Sequence, residues 1–323
     1  MDDRFRFVEV SASAPQKMCE AVREGLKRDE RTLPTRFLYD RTGSELFEQI
    51  TELPEYYLTR TEQSILEDRS DEIAGAAGEN AMLIEFGSGS SMKTRLLISA
   101  LLRRQSVLHY VPIDISHDFL CHSSDGLLSD FPQLIIHALG SEYFDAIEHL
   151  PVHEGPRLVL FLGSNIGNFT HEQSLEFLTR LRRQMRTHDR LLIGIDLAKS
   201  RSIVEPAYDD SQRVTAAFNL NLLARINREL DADFDLNNFE HRAPYDEDQT
   251  RIEMQLISRV EQVVTIDAIG ESFAILEGEK IHTEWSHKYT LDGFARLAQQ
   301  ADLKVSRYWT DCNEWFATVM LAP

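Results

Sequence analysis

Residues 81–93, AMLIEFGSGSSMK, constrain what this chain can fold into more than any other stretch. Met82, Leu83, Ile84 and Phe86 form the short apolar run of a buried strand, and the run breaks at Gly87-Ser88-Gly89-Ser90-Ser91. From Lys93 onward, Thr94-Arg95-Leu96-Leu97 opens a helical pattern. Strand, glycine turn and helix in this order begin a doubly wound α/β sheet. Glycines let a backbone approach a ligand closely, and the start of a helix offers N–H groups with no intrahelical partner. The spacing argues against a dinucleotide, because Met92 stands where G-x-G-x-x-G needs its third glycine. A P-loop also fails, since no second spaced glycine precedes Lys93. The plainer reading of so short a pattern is an ordinary strand-to-helix turn.

The strands that follow repeat the arrangement. Val111-Pro112-Ile113 ends in Asp114, with a helix expected over 93–105 between the two strands. In nucleoside-binding sheets an acid at the second strand's end takes the ribose hydroxyls, because a carboxylate accepts two hydrogen bonds from a diol. Asp114 and Ser116 also suit the cap of the helix expected over 117–128, and both roles are compatible. A third strand over 133–139 is followed by Glu142 and Tyr143. An acceptor for an exocyclic amine and an aromatic beside the ring are the physical needs of adenine. The alternative for Glu142 is a solvated loop carboxylate. Residues 157–162, RLVLFL, are apolar on both faces, as a central parallel strand is. They lead into Gly163-Ser164-Asn165-Ile166-Gly167-Asn168, and ligands bind outside the carboxyl ends of such strands. An asparagine is donor and acceptor together, so it can hold an amine and a carboxylate at once. A left-handed turn at Asn165 and a helix cap at Asn168 compete with that role. A helix over 172–185 and a strand over 190–196 complete the alternation.

Elsewhere the pattern is different. Met18, Val22 and Leu26 have helical spacing after an extended lead. Gly43 and Ser44 read as turn and cap of a helix carrying Leu46, Phe47 and Ile50, which Pro54 stops. Tyr56 and Tyr57 are expected on non-helical backbone, pointing to different sides, with at least one able to line a site. Packing at a domain edge is the commoner fate of such a tyrosine. Thr61 is expected to cap the next helix. From 197 to 285 the strand–helix alternation stops. A helix from Val214 to Leu230 is followed by 251–258, which alternates with period two, and by 262–266 and 279–286 as its expected partners. Residues 290–301 read as a helix, and 303–310 with 315–321 as a terminal β-hairpin.

Composition narrows the possible partners. The chain has 323 residues and a net charge of −19, which repels phosphate backbones and anionic lipid, so neither nucleic acid nor membrane is expected. Three scattered cysteines, Cys19, Cys121 and Cys312, show no metal spacing and no disulfide framework. The first residues, MDDRFRFVEV, hold no apolar core of signal-peptide length, and a cytoplasmic protein without a metal is expected.

Several blocks together are recognisable. They are FLYDRTGSELFEQITELPEYYLTRTE, IEFGSGSSMKTRLL, FLGSNIGN, AYDDSQRVTAAFNLNLLARINREL, IEMQL and IHTEWSHKY. In their order and combination the chain resembles the L-histidine Nα-methyltransferases of ergothioneine biosynthesis over nearly its whole length. The resemblance implies a class I methyltransferase sheet ending in a β-hairpin, assigned to 61–196 and 287–323. It also implies an α+β substrate-binding domain built from 1–60 and an insertion over 197–286, closing over the site. S-adenosylmethionine would be the donor and L-histidine the acceptor, with three methylations giving hercynine. Gly87, Lys93 and Asp114 would hold the donor. The family's Asp-Phe pair for adenine stands here as Glu142-Tyr143, a departure that keeps acid and aromatic but lengthens the acid. Asn168 and Tyr208 would hold the histidine carboxylate, and Tyr56, Glu284 and Ser286 would read the imidazole. Met254 would pack near the imidazole, Gly163 would leave room for the amine, and Tyr39 would border it. Period-two spacing puts Glu284 and Ser286 on one face of a strand. Without the resemblance, a polar exposed face would be the simpler account of that pair.

Overall fold

The computed structural model describes residues 2–10 and 15–323. Two compact units account for the chain: Met1–Ala12, Leu58–Ala198 and Lys288–Pro323 form the first, and Ser13–Tyr57 with Lys199–His287 form the second.

The first unit is built on an eight-stranded sheet. Its strands are β1 (Phe5–Glu9), β3 (Met82–Phe86), β4 (Leu108–Asp114), β5 (Leu134–Gly140), β6 (Arg157–Phe161), β7 (Arg190–Asp196), β14 (Lys304–Thr310) and β15 (Phe316–Ala322). They lie in the order β1-β5-β4-β3-β6-β7-β15-β14. Neighbours from β1 to β7 are parallel, and β15 is antiparallel to both β7 and β14. This is the doubly wound sheet with a terminal hairpin that the glycine turn led us to expect. The buried strands β3 and β6 stand beside each other at its centre. Successive strands step away from β3 on one side through β4 and β5, and on the other through β6 and β7. The switch in direction leaves a crevice outside the carboxyl ends of β3 and β6, where ligands bind in open α/β sheets. Beneath that end Phe86, Phe161 and Phe177 pack with Ile84, Ile113 and Leu178 in one apolar core.

The N-terminal segment corrects the expected division. Phe5–Glu9 pairs in parallel with Ile136–Gly140, so the extended lead is an edge strand of the large sheet and not part of the second unit. Backbone pairing decided this. Five residues carry too little pattern to name a partner strand 131 positions away.

The second unit contains a five-stranded sheet of β2 (Arg31–Thr32), β8 (Phe239–Arg242), β9 (Tyr245–Asp246), β10 (Arg251–Ser258) and β13 (Lys280–His287). The pair β10 and β13 is antiparallel and forms its middle. Residues 262–266 do not join β10. They form β11 (Gln262–Ile266), which pairs with β12 (Glu271–Ile275) in a separate ribbon. The Gly270 turn, with φ +70°, closes that hairpin locally, and a short-range pairing excluded the longer-range one.

Helix boundaries moved for local reasons. Helix Arg41–Thr51 is capped by Asp40, whose carboxylate accepts from the Gly43 N–H at 2.7 Å, so Gly43 and Ser44 lie inside it. Gly43 is there because any Cβ would run into the Leu38 carbonyl. Helix Tyr57–Ala77 begins four residues before Thr61, so Tyr57 is helical and Thr61 lies inside the helix instead of capping it, its hydroxyl donating to the Leu58 carbonyl at 3.0 Å. No helix among the described residues is long and apolar enough to cross a membrane.

Candidate active site

The first unit supplies a cradle at the carboxyl ends of β3, β4, β5 and β6. Gly87 and Gly89 follow β3 with φ of +70° and +46°, the left-handed region that favours glycine. A Cβ on Gly87 would stand 2.6 Å from the Tyr143 hydroxyl and 2.8 Å from Asn165 Nδ2. The glycine therefore serves close approach as well as the turn. Asp114 ends β4. Its Oδ2 accepts the Gly89 N–H and its Oδ1 the Ser116 N–H, each at 3.0 Å. Burial raises the Asp114 pKa, and the backbone donors Ser116, Gly89 and Ile115 oppose that rise. One carboxylate thus ties the glycine loop to the end of the second strand and to the residue before the next helix. Ser116 stands at the N-cap of the next helix but its side chain makes no cap bond, so the capping role read from sequence is not made by either side chain; each Asp114 oxygen keeps a lone pair for a further donor.

Glu142 and Tyr143 follow β5 at the start of helix Tyr143–Ile147. Tyr143 packs edge-on against Phe86, Phe161 and Phe169, with its hydroxyl above Gly87. It is anchored in the aromatic layer under the loop. After β6, Gly163 (φ +74°) and Ser164 (φ +59°) make the left-handed turn, so Asn165 is not the left-handed residue. Asn165–Asn168 is a short 3-10 helix. The following helix, His171–Gln184, is capped by Thr170 in a reciprocal box with Gln173. Capping therefore does not explain Asn168.

Two more carboxylates are buried in this unit, one of them, Glu85, visible in the sequence as the acid at the strand end before the glycines, and neither given a partner by it. Glu62 has no solvent exposure, pairs with the Lys93 ammonium, and accepts the Gly163 N–H at 2.8 and 3.0 Å. It lies at the end of the block YYLTRTE, where the sequence marks no partner for it. Glu85, in β3, accepts from Thr94 Oγ1 at 2.6 Å and from the Tyr110 hydroxyl. Burial pushes its pKa up to about 7, against the pull of Thr94, Tyr110 and Lys93. An acid inside an apolar strand was the visible clue.

The second unit brings together most of the expected acceptor residues. Met254 stands directly opposite Glu284 in the β10–β13 ladder, and Ile252 opposite Ser286. Cross-strand partners and i,i+2 neighbours share a face, so Met254, Glu284 and Ser286 lie on one side of the sheet. All three are buried, which rules out the exposed polar face. Tyr208, at the end of helix Arg201–Tyr208, reaches this face with its hydroxyl 2.7 Å from Ser286 Oγ. Tyr56 meets Tyr208 edge-on, with ring centroids 6.1 Å apart. Phe47 and Phe218 continue the aromatic row from Tyr56 to Tyr39. Polar groups buried so close to aromatic faces suit a flat, polar, partly cationic guest.

Supports hold these tyrosines in place. His241 has no exposure; its Nε2–H donates to the Tyr208 carbonyl at 2.8 Å, and its Nδ1 accepts from Asn219 at 2.9 Å. Burial lowers the His241 pKa, so the ring is held neutral. Ser211 Oγ donates to Glu55 at 2.7 Å, tying the loop before Tyr56 to the loop after Tyr208. Asp210 accepts the Val214 and Thr215 N–H groups at 2.9 and 2.7 Å and so starts helix Val214–Leu230. None of these supports could be singled out from spacing, because each acts between segments distant in sequence.

Known proteins resemble the chain along the same stretch. Residues 18–323 match the family described as histidine-specific methyltransferase, SAM-dependent. The chain is 42% identical to the histidine N-alpha-methyltransferase of Mycolicibacterium smegmatis, over 93% of this chain and 92% of that protein. It is 41% identical to the enzyme of the same name from Mycobacterium tuberculosis, over 90% of each. Ergothioneine biosynthesis protein 1 of Schizosaccharomyces pombe is 32% identical over 71% of this chain and 31% of that longer protein. With the glycine cradle, the doubly wound sheet and these matches all in place, the chain belongs to the histidine-specific, S-adenosylmethionine-dependent methyltransferase family.

Proposed function

We propose that this chain transfers three methyl groups from S-adenosylmethionine to the α-amino group of L-histidine, giving hercynine, the trimethylammonium betaine on the way to ergothioneine. The observation that carries the choice of acceptor is the buried face of Met254, Glu284 and Ser286 with Tyr208 bonded to Ser286. A carboxylate on a buried face is a strong acceptor, and an imidazole N–H is a donor that suits it. Ser286 serves the second ring nitrogen, and Tyr56 borders the ring.

The first unit fits the donor. Gly87 and Gly89 turn the backbone at the carboxyl end of β3 where a Cβ at Gly87 would strike Tyr143 and Asn165, and Asp114 offers acceptors for a ribose diol. Lys93 provides a cation for the donor's carboxylate, and Glu142 an acceptor for the adenine amine. When bound, the donor supplies an electrophilic sulfonium methyl group. The residues of this chain have the tasks of orientation and exclusion. Asn168, a donor and acceptor at once, holds the amino-acid end of histidine together with Tyr208, so that the amine lone pair is aimed rather than free to rotate. Tyr39 borders the amine, and Gly163 leaves it space. Such positioning supplies most of the acceleration in methyl transfer. The amine attacks in its neutral form, so each transfer releases one proton, to water or to a tyrosine hydroxyl. Aromatic walls accommodate the nitrogen as it gains methyl groups and permanent charge.

The test is mass spectrometry of L-histidine incubated with the chain and S-adenosylmethionine. Histidine carrying three added methyl groups is the expected product. Unmodified histidine alongside intact donor would reject the proposal, and a panel of other free amino acids would then identify the acceptor.

A further inference from the structure

Glu62 is held in a slot that only a carboxylate fills well. Helix Tyr57–Ala77 delivers it into the interior, where its side chain has no contact with water. The Gly163 N–H donates to both of its oxygens, and the Lys93 ammonium pairs with Oε2. On β7, Gly194 leaves the remaining space: a Cβ there would fall on Glu62 Oε1. Three separate elements therefore converge on one anion. Lys93 retains part of its exposure, and its Nζ is 3.6 Å from where a Cβ on Gly163 would stand. The ammonium is thus pinned at the crevice between the carboxyl ends of β3 and β6, one face toward a buried acid. Because an ammonium has three donors, a single buried partner leaves it able to bond another anion.

We infer that Glu62 is a positioning residue for the methyl donor, acting through Lys93: it holds the ammonium at the switch point so that it receives the donor's α-carboxylate. The inference rests on the donor site proposed above. A lysine is a flexible four-carbon stem carrying a point charge, and without a fixed counterion its head spends its time in solvent. A buried acid on one side removes that freedom and balances the charge that would otherwise be stranded. The same carboxylate fixes the Gly163 N–H, so one group sets both the cation and the turn after β6.

Calorimetry with two adenosyl ligands separates this role from a merely structural one. S-adenosylhomocysteine carries the amino-acid end, whereas 5′-methylthioadenosine has the same nucleoside and thioether without it. Glu62→Gln is expected to weaken S-adenosylhomocysteine by about tenfold or more, with 5′-methylthioadenosine unchanged. In turnover, KM for the donor rises by a similar factor. Glu62→Asp keeps the charge but draws it back by one methylene, and it gives a smaller loss with the same selectivity. It serves where Glu62→Gln does not fold. An equal loss of both ligands, or no loss of either, would overturn the inference. A wild-type chain that binds neither ligand would remove the donor reading and this inference with it.

Discussion

Individual side chains in the second unit were assigned roles by resemblance, and the geometry gives those roles a physical basis that can be measured. Glu284→Ala removes a buried acceptor opposite Met254. It should weaken histidine by about 1.5–3 kcal/mol, roughly ten- to a hundredfold in Kd, and leave the donor's affinity alone. Separate titrations with histidine and S-adenosylhomocysteine check this, and equal losses would take Glu284 out of the acceptor site. Asn168→Ala should reduce histidine affinity to a similar degree. Thr170 and not Asn168 caps the next helix, so the helix itself should keep its stability. A matching fall in melting temperature would mean that Asn168 is structural after all. Gly87→Ala imposes a left-handed backbone on a residue with a Cβ and brings that atom against Tyr143 and Asn165. It should cost about 1–3 kcal/mol of stability, and donor binding should weaken with it, both readable from thermal shifts with and without S-adenosylhomocysteine.

Among the elements, β3 carries a charge that its apolar neighbours do not welcome. Glu85 is buried with a pKa of about 7, well above the ordinary 4.5. Below the ordinary value it is neutral in both folded and unfolded chains, and stability does not depend on it. As pH rises from about 4.5 to about 7, the unfolded chain releases this proton while the folded chain keeps it, so stability falls; above about 7 the difference is constant. Glu85→Gln removes the penalty. Relative to wild type, it should gain up to about 3 kcal/mol as pH is raised across that window, less whatever its bonds to Thr94 and Tyr110 lose in the exchange. Urea unfolding at pH 5 and pH 8 measures the difference, and a variant whose relative stability is flat in pH would show that Glu85 ionises normally. His282, on β13, has the opposite sign. Burial lowers its pKa from 6.5 to about 4, so the stability it contributes is present above pH 6.5 and lost as pH falls toward 4.

Over the whole chain, two cores are built from interleaved segments, and their ligands should protect different parts of the sequence. Hydrogen exchange should slow at Gly87–Gly89 and around Asp114 when S-adenosylhomocysteine is added. With histidine alone it should slow within Arg251–Ser258 and Lys280–His287. Protection by histidine confined to the first unit would contradict the acceptor assignment. Most of the large sheet was legible in advance: buried parallel strands are continuous apolar runs, and glycine turns mark where they end. The same holds for Gly87 and Asp114, which follow or end a strand, whereas the alternation of Glu284 and Ser286 suits an exposed polar face equally well, and only folding buries the pair. The partner of Phe5–Glu9, the pairing of Gln262–Ile266, the start of helix Tyr57–Ala77 and the service of Asp40 as a cap were not legible. Each turns on a hydrogen bond whose competitor is almost equally good locally. Glu62 and His241 belong with them, since a buried acid and a buried imidazole look like any surface residue until their partners arrive from other segments. Periodicity and glycine placement are properties of neighbouring residues, so the order of letters is enough to specify them. Which carboxylate meets Lys93, which carbonyl takes the His241 proton and which strand closes the edge depend on distances between remote segments, and only the folded chain sets those.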